Sequence, residues 1–177
     1  RTAAGITTDT DYNATVTGTL DENAATNVNA LAAETTGTVT ATVSNLTAEQ
    51  ADTFTTAGTD AITFTLEAGA TTADVINSVD SKTSVAVGAE AITAITGSLT
   101  GVTTARTSAG ITTDTDYNAT ITGTNDENGI AKLNAIAGET SGTVTATLNN
   151  LSAAQADTLS TASTDAISVT LEAGATT

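Results

Sequence analysis

The sequence predicts an α/β protein, a repetitive strand–helix solenoid with a one-sided parallel sheet. Three observations carry this expectation. Short alternating runs are each followed by a helix-forming run, with strands recurring every 23 to 32 residues or so, which is the range of stacked repeat units. The stretch GTVTATVSNLTAEQAD at 37–52 returns as GTVTATLNNLSAAQAD at 142–157. The alternating runs are apolar on one face only: Ile62, Phe64 and Leu66 point one way, and Thr63, Thr65 and Glu67 the other. Strands covered by helices on both faces read as continuous apolar runs, which these do not. Right-handed strand–helix–strand connections repeated in order put every helix on the same side.

Taken in order, the first strand falls at Tyr12–Thr19. The helix after it, Leu20–Glu34, carries Ala24, Val28, Leu31 and Ala32 at helical spacing. The second strand is Thr38–Asn45. Thr47-Ala-Glu-Gln50 then forms a capping box, in which the hydroxyl accepts from a first-turn amide and the Gln reaches back; this opens a helix over Thr47–Thr56. Ser152-Ala-Ala-Gln155 repeats the device. Asn45 and Asn150 occupy the tight turn between strand and helix. A third strand, Ala61–Ala68, leads to a helix at Thr72–Lys82 with Val75, Ile76 and Val79 inward and Thr71 or Thr72 as cap. A fourth, Ser84–Ile95, leads to Ser98–Ala109, where Gly101 and several Thr lower the helix propensity.

Arg1–Thr72 aligns without a gap to Arg106–Thr177, a period of 105 residues. Roughly 70 per cent of the aligned positions are identical, far above chance. Residues 1–105 therefore read as a first long repeat of four strand–helix units, and 106–177 as a second, truncated one, a window on a longer tandem array. A period of about this length is also the size of an immunoglobulin-like sandwich, so tandem all-β sandwiches are the alternative. The capping boxes, the Ala-rich helices and the lack of Pro and of aromatic core residues count against it.

There is no Cys, His, Met, Trp or Pro, and only two Tyr and two Phe. A core of Val, Ile, Leu and Ala buries little area per residue, so regular stacking must supply the stability. The net charge is −16, with Arg1, Lys82, Arg106 and Lys132 the only basic residues. Such a surface repels nucleic acid and anionic membranes, and no apolar run is long enough for membrane insertion. Without imidazole or thiolate the commonest base and nucleophile are missing. Carboxylate pairs remain, but sugar-cleaving sites built on them usually need aromatic platforms, so no enzyme is expected.

Two candidate sites stand out. Asp9, Asp11 and Asn13, repeated as Asp114, Asp116 and Asn118, place oxygen ligands alternately along a loop, a pattern that suits Ca²⁺. The loop departs from a helix-flanked calcium loop, with Ala14 at the glycine position and Leu20 where the bidentate Glu belongs. A turn whose Asp and Asn side chains hold backbone amides accounts for the same residues with no cofactor. Asp60, Asp74 and Asp80 read as solvated loop or helix-start acids. The second candidate is a flat array of Thr15, Thr17, Thr38, Thr40, Thr42, Thr63 and Thr65, interrupted at Ser84–Gly88. Thr is a good strand former that stays soluble on an exposed face, and such arrays resemble the ice-binding faces of some β-solenoid antifreeze proteins. Four glycosylation sequons, at Asn13, Asn45, Asn118 and Asn150, complete the motifs.

The runs Ala73-Asp-Val-Ile-Asn-Ser-Val-Asp80, Ser141-Gly-Thr-Val144 and Thr104-Ala-Arg-Thr-Ser-Ala-Gly-Ile111 resemble the tandem repeats of giant cell-surface, adhesin-like proteins of marine bacteria and cyanobacteria. The resemblance implies an extracellular or cell-surface structural role as stalk, surface layer or filament, or adhesion to a cell, mineral or ice surface, and brings no catalytic residues with it. Arg1–Ile6 is the same internal run as Arg106–Ile111, and Ala166–Leu171 presents Ile167, Val169 and Leu171, so neither end reads as a polar cap and end-to-end self-association is expected.

Overall fold

The computed structural model describes residues 9–174. Its elements run β1 (Ala14–Leu20), α1 (Ala25–Glu34), β2 (Val39–Leu46), α2 (Ala48–Ala51), β3 (Ala61–Leu66), β4 (Gly69–Thr72), α3 (Ala73–Asp80), β5 (Val87–Ala89), β6 (Ile92–Ser98), α4 (Leu99–Thr107), β7 (Ile111–Thr113), β8 (Asn118–Asn125), α5 (Ile130–Glu139), β9 (Val144–Leu151), α6 (Ala153–Ala156) and β10 (Ala166–Leu171). Single 3-10 turns at Glu22–Ala24 and Glu127–Gly129 lead into α1 and α5.

The chain is α/β, with two five-stranded parallel sheets in the orders β1-β2-β3-β5-β7 and β10-β9-β8-β6-β4. The expectation of a single sheet is corrected in this respect. The third strand is followed by β4, which lies beyond its expected end at Ala68, and the long fourth strand breaks at a turn through Glu90 and Ala91, so each of units three to five gives one strand to each sheet. β7, absent from the sequence-based assignment, supplies the fifth unit's share of the first sheet. Every strand pairing among the described residues is parallel, which removes the antiparallel sandwich alternative.

Alternation puts Val39, Ala41, Val43 and Leu46 of β2, and Ile62, Phe64 and Leu66 of β3, under the helices, all nearly inaccessible to solvent. Phe54 and Phe64 meet edge to face there, with ring centroids 5.1 Å apart. Both capping boxes form: Gln50 N donates to Thr47 Oγ1 and Thr47 N to Gln50 Oε1, and Ser152 and Gln155 repeat the exchange. Thr72 caps α3 and Ser98 caps α4. α2 stops after one turn, shorter than the sequence suggests, because Phe54 leaves the helix to enter the core, and α6 stops likewise before the half-buried Leu159.

α4 runs through positions 105 and 106, so the sequence period does not coincide with a break in structure. Asn45 and Asn150 lie at φ 58°, the left-handed region that Asn tolerates better than most residues. There β2 steps its register against β3, and β9 against β10. Gly18 and Gly123, also at positive φ, mark the same kind of step in β1 and β8.

Candidate functional site

The acidic loops fold as amide-holding turns. Asp9 Oδ1 accepts from Thr10 N at 2.9 Å, and Asp114 Oδ1 from Thr115 N at 2.7 Å. Asn13 Oδ1 accepts from Thr38 N at 2.8 Å, and Asn118 Oδ1 from Thr143 N at 2.9 Å, each bond reaching into the next unit. Asp11 and Asp116 are exposed. Among the described residues no group of three or more His, Cys, Asp and Glu is placed to hold a metal ion. In both loops the Asn oxygen already accepts from a backbone amide of the next unit.

One expectation about acids is corrected. Asp60 is buried rather than solvated, at 4% exposure. Its Oδ1 accepts from Val39 N and its Oδ2 from Ala57 N, both at 2.8 Å, so the carboxylate ties the second unit to the third. Asp80 Oδ2 likewise accepts from Ser108 Oγ at 2.8 Å. Sequence reading missed these bridges because they join residues more than twenty positions apart. The signal available was repetition: Asp165 stands one period after Asp60 and makes the same pair of bonds.

Asn29 forms another bridge, donating to Thr53 O at 3.1 Å and accepting from Thr55 N at 2.8 Å; Asn134 repeats it with Thr158 and Ser160. Lys82 Nζ pairs with Asp52. Burial raises the Asp52 pKa, but hydrogen bonds from Lys82 and Ser78 and the Lys82 charge outweigh it, leaving the group below its ordinary value. Arg106 lies 4.9 Å from the centroid of the Tyr117 ring and pairs with Glu139 at 3.3 Å. Burial pushes the Tyr117 hydroxyl up, and the opposing pull of Arg106 only partly offsets it.

The threonines are arranged differently from the sequence list. Thr15, Thr17, Thr40, Thr42, Thr63 and Thr65 are exposed on the first sheet, and Thr38 is half-buried just before β2. Thr15 sits opposite Thr40, and Thr19, Thr42 and Thr63 lie in line. Thr17 falls in the irregular stretch of β1. A longer row on the second sheet was not anticipated: Thr72, Thr96, Thr120 and Thr145 are consecutive partners across β4, β6, β8 and β9. Adjacent strands set their spacing at about 4.8 Å. Thr120 and Thr145 are the one-period counterparts of Thr15 and Thr40, which was the legible clue.

No helix among the described residues is long and apolar enough to cross a membrane. Compared with family models, curated proteins and solved structures, the chain matches none.

Proposed function

We propose that this chain is a non-enzymatic segment of an extracellular, repetitive structural protein whose strand–helix units stack as a solenoid into a stalk, surface layer or filament. The observation that carries this reading is the strand register across the repeat seam: Ile95 and Thr96 of the first repeat pair in parallel with Ala119 and Thr120 of the second, as strands inside one repeat do. Units of this kind add without limit, each burying the apolar face of the last. The acidic surface keeps neighbouring fibres apart while leaving the axial contact free.

Diffraction from aligned material tests the reading. Four units fill one 105-residue period, so spacings of about 4.8 Å and about 19 Å along the fibre axis are expected. Isotropic particles without either spacing would refute it.

The row Thr72–Thr96–Thr120–Thr145 favours a second reading, adhesion of the threonine face to a regular surface such as ice or a mineral. Thermal hysteresis in the parent chain, abolished by Thr120→Lys, is the expected result; none in the parent removes this reading and leaves the first untouched.

A further inference from the structure

The first unit carries an apolar groove of about 400 Å³, lined by Val16, Leu20, Ala24, Val28 and Leu31. β1 is the edge strand of its sheet, and Val16, Leu20 and Leu31 are only partly buried. One period later the same face is closed. Ile121 and Ile136, the counterparts of the partly buried Val16 and Leu31, are at most 5% exposed. What closes that face is the segment Ile92–Thr107. β6 pairs with β8, α4 packs on α5 and β8, and Leu99 reaches so close to Gly129 that an added Cβ there would lie 2.9 Å from Leu99 Cδ2.

We infer that the groove of the first unit is a docking site for a strand–helix segment of the β6–α4 kind, supplied by another repeat. The inference rests on the tandem-array reading above and specifies its contact. The pairing of β6 with β8 sets the register. Counterparts of Ile95, Thr96, Gly97 and Ser98 lie opposite Ala14, Thr15, Val16 and Thr17. The docked strand satisfies the open backbone edge of β1, and its helix covers Leu31.

The differences between the two repeats say what the occupant must look like. They cluster on this face: residues 24–28 read AATNV where 129–133 read GIAKL. Ala24 adds a methyl at the position where Gly129 admits Leu99. Ala25 and Val28 remove bulk relative to Ile130 and Leu133, and Leu20 replaces the polar Asn125. Volume is moved within the groove while its apolar character is kept. The occupant therefore shares the backbone of Ile92–Thr107, with its largest side chain displaced from the Leu99 position towards Ala25 and Val28.

Hydrogen exchange on the full chain, alone and with a second copy of residues 69–105 bearing Leu99→Ala fused ahead of Arg1, so that the docked helix clears Ala24, tests this. In the fused chain the amides of β1 and α1 should exchange at least about tenfold more slowly, with β9 unchanged, and Leu31→Glu should remove the slowing. Unchanged exchange at β1 and α1 overturns the docking proposal, whether or not the fused segment is itself protected. The array reading stands or falls separately on the fibre spacings. Slowing in the unfused chain that grows with its concentration would assign the groove to a second whole copy and overturn the proposed occupant.

Discussion

Asp60 Oδ1 accepts the backbone amide of Val39 at 2.8 Å, and Asp165 does the same for Val144 at the same distance. The bond belongs to the stacking of units, because acceptor and donor lie on different strand–helix turns of the chain. Asp60→Ala leaves the buried amide of Val39 and the part-buried amide of Ala57 without acceptors, an expected cost of about 2–3 kcal/mol in urea unfolding. Asp165→Ala costs less, since that carboxylate is half-buried. Equal costs would count against this account.

Gly142 lies against the peptide of Tyr117, whose carbonyl also accepts from Thr140 Oγ1 at 2.5 Å. A Cβ on Gly142 would run into that carbonyl, a rigid backbone neighbour. Gly142→Ala is expected to destabilise by about 3 kcal/mol or more, and Gly37→Ala, against Tyr12, to behave alike. Gly138→Ala, within α5, meets nothing within 4 Å and serves as the control in the same thermal melts, neutral to stabilising by up to about 1 kcal/mol.

At Asn45 and Asn150 the left-handed backbone sets the expected ranking. Asn→Ala at either position costs about 1 kcal/mol, while Asn→Gly is nearly neutral. Denaturant midpoints of the two pairs of variants check the order, and a reversed order would refute the conformational explanation.

Two groups give the pH dependence. The folded pKa of Tyr117 is raised, so above about pH 10 the unfolded chain loses this proton first and stability falls with rising pH. Tyr117→Phe should flatten that alkaline limb. The folded pKa of Asp52 is lowered, so its contribution is present above the unfolded carboxylate range and disappears as pH drops through the folded value. Lys82→Met should weaken that acid-side dependence, read as the melting temperature against pH.

Local chemistry was legible wherever it is contained in a few residues. The capping boxes at Thr47 and Ser152, the cap at Thr72, and the alternation in β2 and β3 all survive in the structure because each is decided within one turn or one strand. β4 was not legible, because Gly69-Ala-Thr-Thr72 carries no apolar alternation and only pairing with β6 makes it a strand. The three-residue β7 is too short to announce itself. Asp60 was misread as solvated because its partner Val39 is distant in sequence. The groove beside Leu31 was illegible for a related reason: Leu31 and Ile136 are similar residues on similar helices, and exposure depends on whether another unit lies on top.

The passage of α4 through positions 105 and 106 bears on how such a chain would respond to tension. Proteins built as beads on a string lengthen in abrupt jumps, one whole domain at a time. Here the helix that ends one repeat begins the next, with no slack linker between them. Pulled from its ends, the chain would peel turn by turn, each step releasing some two dozen residues and breaking only contacts with the adjoining turn. On the proposed reading as a stacked filament, such a chain would yield in many small steps rather than in whole-domain jumps.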